Sequence, residues 1–178
     1  MQSSRKGLSL RALKERIEIA SIVIGMTGAT VGALFAAFQY LEQVQANRVK
    51  ATIELVQRFG TPPISQHWDR LEEAWLNVEN EFPKHIADQD DWNKFVGDTV
   101  EGAKILPDIM SIVEFFKTVE ICVENNICDK SSAEAFFLGD ATHFVHLHYP
   151  VIEKRRDARH DQSLGSETEK FIRNAKKQ

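Results

Sequence analysis

The sequence predicts an all-α protein in which a single N-terminal transmembrane helix continues into a stalk, followed by a small helical bundle domain. Three observations carry this. An uncharged run of 23 residues extends from Ile19 to Leu41. Beyond it, apolar residues recur at helical three- and four-residue spacing, and no alternating apolar and polar pattern competes as a strand. The expected segments are a basic N-terminus (1–18), the membrane helix (19–41), a helical stalk (42–59), a helical domain (60–160) and a flexible or frayed helical tail (161–178).

At about 1.5 Å per residue, roughly 20 helical residues cross the roughly 30 Å hydrocarbon core of a bilayer. A buried hairpin helix is the competing reading, but such helices rarely avoid charge for so long. A basic beginning before an apolar run also suits a cleaved signal peptide. Here the run exceeds the usual signal core, no Ala-x-Ala site follows, and the helical pattern continues through Phe38, Leu41 and Val44, so an uncleaved anchor is expected.

Within that helix Ser21, Gly25, Gly28, Gly32 and Ala36 fall along one side. Small residues let helix backbones approach closely enough in lipid for dispersion contacts to hold them together, so this ridge is a candidate packing face. Ordinary glycine enrichment of membrane helices is the alternative. Arg5, Lys6, Arg11, Lys14 and Arg16 precede the run and suit anionic headgroups, whereas Arg48, Lys50 and Arg58 follow it. Five against three leans toward a cytoplasmic N-terminus with the larger domain outside. Phe35, Phe38 and Tyr40 form an aromatic belt at the far interface.

The stalk stops at Gly60-Thr61-Pro62-Pro63. A second helix from about Ser65 to Asn80 carries Trp68, Leu71, Trp75 and Val78 as one apolar stripe opposite Asp69, Glu72, Glu73 and Glu79, and Pro83 ends that segment. Asp90 or Asp91 is expected to cap a third helix from Trp92. Pro107-Asp108 opens a fourth, whose Ile109, Ile112, Val113, Phe116, Val119 and Val123 make it the core helix. Asn125-Asn126 ends it. Asp129 with a Ser131-x-x-Glu134 capping box starts a fifth helix through Phe136, Phe137, Phe144 and Leu147 to Pro150, which ends or bends it. A linker at 162–166 and a short amphipathic segment around Phe171 and Ile172 complete the chain.

The 178 residues are 43% apolar and 27% charged. That excludes collagenous and wholly disordered chains, and the length allows one domain with an appendage. Charge is unevenly spread. Residues 19–152 carry 9 basic against 19 acidic side chains, while both termini are basic. An acidic body repels phosphate backbones, so nucleic acid is not an expected partner.

The run Ile112-Val113-Glu114-Phe115-Phe116-Lys117-Thr118-Val119-Glu120, then Asn126-Ile127-Cys128-Asp129, Phe136 to Tyr149-Pro150 and Glu153-Lys154-Arg155-Arg156 resembles a bacterial membrane-anchored helical family, domain of unknown function 4760, over roughly residues 17–160. The resemblance implies a membrane helix, a stalk, an acidic Trp-containing helix and a helical pair, and no known reaction. It also implies a cytoplasmic domain, against the local charge count, so the side of the membrane stays open.

Catalytic constellations are sparse. His143 and His146 share a helix face with Asp140 one turn earlier; these three are weak metal candidates, short of ligands and without HExxH or Cys-x-x-Cys, and half-exposed helix residues are the plainer reading. Cys122 and Cys128 can bond only if the chain turns back at Asn125-Asn126, and two buried apolar thiols are the default. No cofactor and no enzyme activity are expected. Trp68, Trp75, Lys154, Arg155 and Arg156 are candidate partner contacts, the basic run reading equally as a solvated helix end. The expected role is an accessory or scaffolding subunit of a complex in the bacterial inner membrane, touching lipids and other subunits. A homo-oligomeric effector or sensor built on the same glycine ridge is the alternative.

Overall fold

The computed structural model describes residues 5–177, with side chains described for Lys14, Ser21 and 25–177. Among these residues it is all-helical: α1 Arg5–Phe59, α2 Ile64–Leu76, a 3₁₀ turn Glu79–Glu81, α3 Phe82–His85, α4 Gln89–Ala103, α5 Leu106–Glu124, α6 Lys130–Arg159 and α7 Ser166–Ala175. The chain divides after Gln45 into two compact units.

The first unit is the N-terminal part of α1. Residues 25–43 are exposed on every side. Among the described residues no helix is long and apolar enough to cross a membrane; Ile19, Ala20, Ile22, Val23 and Ile24 of the uncharged run lie outside the described side chains, as do Arg5, Lys6, Arg11 and Arg16.

The second unit begins at Ala46, so most of the expected stalk belongs to the helical domain. The reason is packing. Thr52 is fully buried, and Leu55, Val56 and Phe59 pack on the core from the same helix side. The Thr52 hydroxyl accepts from the Asp129 backbone N–H at 3.0 Å and donates to the Arg48 carbonyl at 3.1 Å. Phe59 then meets Phe115 at 5.1 Å, Trp68 at 5.2 Å and Phe137 at 5.9 Å between ring centroids.

The fourth helix is the core helix, as its apolar stripe predicts. Ile109, Ile112, Val113, Phe115, Phe116 and Val119 of α5 are buried against Phe137, Ala141, Phe144 and Ile152 of α6, Val96 and Val100 of α4, and Leu71 and Trp75 of α2. α2 is shorter than its stripe predicts. Pro83 does not close that segment but sits in the first turn of α3, where its missing N–H has no helical partner to lose.

Helix starts differ by a residue or two from expectation. Asp88, two residues before Asp90, caps α4 by accepting from the Asp91 N–H at 2.9 Å, while Asp90 and Asp91 occupy the favourable first turn. α6 is capped by Asp129, whose carboxylate accepts from the Ser132 N–H at 2.9 Å and the Ser132 hydroxyl at 2.6 Å. The expected Ser131 capping box is therefore not formed, and Glu134 pairs with Lys130 at 3.5 Å. Pro150 lies inside α6, which runs on to Arg159 because Val151, Ile152 and Arg156 are drawn into the core.

The C-terminal segment, expected to fray, forms α7. Its Phe171 is buried in the core cluster. Gly165 precedes it at φ 74°, and a Cβ there would lie 3.2 Å from the Ile152 side chain, so both conformation and space call for glycine.

The α5–α6 turn places Asn126 in the left-handed region at φ 55°. The N–H groups of Ile127 and Cys128 both reach the Cys122 carbonyl, at 2.9 and 3.0 Å. The chain thus turns back, and Cys122 and Cys128 are joined by a disulfide with Cα atoms 5.1 Å apart. This corrects the expectation of two apolar thiols.

Candidate functional site

In the first unit the glycine ridge is open. A Cβ built on Gly25, Gly28 or Gly32 meets nothing within 4 Å, and Ser21 and Ala36 are exposed. Around it Met26, Val31, Leu34, Phe35, Phe38, Tyr40 and Leu41 each leave 58–69% of their surface uncovered. The Thr30 hydroxyl donates back to the Met26 carbonyl at 2.9 Å, so this polar group is satisfied within its own helix. Among the described residues of this unit these large apolar side chains are therefore exposed on one helix.

In the second unit the expected partner residues separate. Trp75 is buried and Trp68 half-buried against Phe59, Phe116 and Phe144. Arg156 is buried too, donating from Nε to the Leu164 carbonyl at 2.6 Å and from Nη2 to Glu169 at 2.6 Å. It fastens the turn before α7 and α7 itself. Of the basic run Lys154 is exposed, with Arg155 half-buried beside it.

The three metal candidates do not form a site. His143 and His146 are exposed on α6, Asp140 is half-buried, and among the described residues no group of three His, Cys, Asp or Glu could hold a metal ion. Asp140's carboxyl is raised above the ordinary aspartate value, first by burial and then by the nearby Glu72 charge, with His143 opposing.

His148, one helical turn beyond Phe144, has a different fate from the other two histidines. Its Nδ1–H donates to the Phe144 carbonyl at 2.8 Å, and its Nε2 accepts from the Trp75 indole N–H at 2.9 Å. That pair of bonds fixes one neutral tautomer. Burial lowers its pKa from 6.5 to about 4, against the opposing Phe144 hydrogen bond.

This buried pair floors a groove of about 440 Å³ between α2, α3 and α6. Trp68, Leu71, Trp75, Leu76, Phe82, Phe144 and Leu147 give it apolar walls, while Glu72, Glu79 and His143 are the polar side chains added to His148. The Trp68 indole N–H donates to Glu72 Oε1 at 2.9 Å. The groove is open to solvent on one side, and its lining is mostly apolar with a few polar groups. The sequence shows Trp68 and Trp75 only as a stripe and leaves the groove unseen, because the second wall comes from α6, far later in the chain.

Two buried carboxylates lie elsewhere. Asp108, in the first turn of α5, accepts from His67 Nδ1 at 2.6 Å and faces Arg70 at 3.3 Å. Glu120 is held above the ordinary glutamate value by burial, although Lys170 and Asn174 of α7 approach it to 4.0 and 3.4 Å. Both tie helices together.

The family model described as domain of unknown function (DUF4760) matches residues 26–175. No curated protein and no solved structure matches the chain.

Proposed function

The chain belongs to the DUF4760 family, and from that premise we propose that it is a single-pass, membrane-anchored accessory or scaffolding subunit of a membrane protein complex. One observation carries this reading: the apolar surface of α1 around Gly25, Gly28 and Gly32 is exposed, with nothing covering it among the described residues of its unit. The uncharged run of 23 residues rises about 35 Å as a helix, enough for a bilayer core. Lipid covers the large apolar side chains, and the smooth glycine side receives a helix of another subunit. The acidic helical domain is the part that contacts soluble portions of the complex.

The Cys122–Cys128 disulfide supports an orientation. Disulfides persist in oxidising compartments, so this reading puts the helical domain outside, with the basic N-terminus at the anionic cytoplasmic leaflet, against the cytoplasmic side that the family resemblance implies. This agrees with the excess of Lys and Arg before the helix.

The experiment has two parts. Membranes are extracted with alkaline carbonate, and the protein is expected to stay in the pellet. The double substitution Gly28→Ile and Gly32→Ile is then expected to release it from its complex while leaving it in the membrane. Recovery of the wild type in the soluble fraction would remove the anchor, and an unchanged assembly in the double variant would remove the ridge. Self-packing through the same ridge is the second reading, since the open glycine face accepts an identical helix equally well.

A further inference from the structure

The groove between α2, α3 and α6 stands apart from the membrane reading, because its chemistry belongs to the helical domain alone. Its two indoles are Trp68 and Trp75, and each N–H is already spent inside the protein, on Glu72 and on His148. What they give the groove is therefore carbon and π surface, together with the rings of Phe82 and Phe144. His148 is neutral, its Nδ1 proton committed to the Phe144 carbonyl. Among the described residues no lysine or arginine lines the cleft, and its exposed ionisable side chains are Glu72, Glu79 and His143, two carboxylates against one imidazole. An aromatic cleft with a surplus of negative charge complements one kind of occupant.

We propose that this groove binds a small organic cation, an ammonium group carried on an apolar body, with the ammonium beside Glu72 and Glu79 and the body against Trp68, Trp75 and Phe82. Aromatic faces attract a cation through the ring quadrupole, most strongly when water is displaced. One Glu72 oxygen is held by Trp68, which keeps the carboxylate beside the indole. An anionic ligand is repelled by Glu72 and Glu79, and a neutral one gains the walls without the charge.

The test uses full-length protein in a nanodisc of neutral lipid, titrated calorimetrically with benzyltrimethylammonium, with its uncharged isostere neopentylbenzene and with benzylsulfonate. The cation is expected to bind about tenfold more tightly than the isostere, the size of one moderate cation–π and ion-pair gain. The sulfonate is expected not to bind. Glu72→Gln with Glu79→Gln, which keeps an acceptor for Trp68, is expected to bring cation and isostere to within about twofold. If that double variant does not fold by circular dichroism, Glu79→Gln alone, at an exposed position, serves with an expected loss of about threefold. No cation binding, equal affinity for the isostere, sulfonate binding, or a cation preference unchanged in the folded variant would each overturn the assignment.

Discussion

Acidification isolates the buried His148–Trp75 pair. In the unfolded chain the imidazole titrates near 6.5, and in the folded protein at about 4. Between those values the unfolded state binds more protons, so the contribution to stability is fully present above about pH 6.5 and is lost as pH falls toward 4. At about 1.36 kcal/mol per pH unit, the loss amounts to about 2.5 kcal/mol by pH 4.5. His148→Phe abolishes this titration but leaves the Trp75 indole N–H buried without its acceptor, at a cost of about 1–3 kcal/mol. The variant is therefore expected to be less stable than wild type at pH 8, and the gap to close or reverse by pH 4.5. Urea unfolding followed by tryptophan fluorescence at pH 8, 6 and 4.5 measures it. Glu120 and Asp140, whose raised carboxyls ease as pH falls, move both proteins alike and cancel in the difference. A gap that stays constant across this range would refute the buried neutral histidine.

Other consequences concern the staples of the domain. Replacing Cys122 and Cys128 with serine opens a loop of sequence separation 6 and is expected to cost about 2 kcal/mol by the loop-entropy relation; thermal unfolding with and without reductant should show wild type falling to the level of the variant. Arg156→Ala removes the ties to Leu164 and to the half-buried Glu169, and losing these charge-assisted hydrogen bonds costs about 2 kcal/mol; hydrogen exchange should rise first in α7. Asp129→Ala deletes the cap of α6 for about 1 kcal/mol, readable as a lowered urea midpoint.

Local signals in the sequence locate the helices where they are strong. The stripe from Ile109 to Val123, the break at Gly60 to Pro63 and the turn at Asn125-Asn126 all mark real boundaries, because each depends on residues adjacent in the chain. What escapes depends on distant partners. The stalk joins the domain because Asp129 meets Thr52 and because Leu55, Val56 and Phe59 find the core, Arg156 is consumed by Glu169 and Leu164 rather than offered to a partner, and α6 passes through Pro150 because Val151 and Ile152 are buried beyond it. The groove is the same case, one wall on α2 and another on α6. On α1, spacing alone aligns the small residues, and Gly25, Gly28 and Gly32 are open there.

The most direct test of the proposed accessory-subunit role is native mass spectrometry of the protein drawn by a C-terminal tag from gently solubilised membranes. The expected result is a defined complex with stoichiometric foreign subunits, lost in the Gly28→Ile, Gly32→Ile variant. A monomer or a pure homo-oligomer would contradict it.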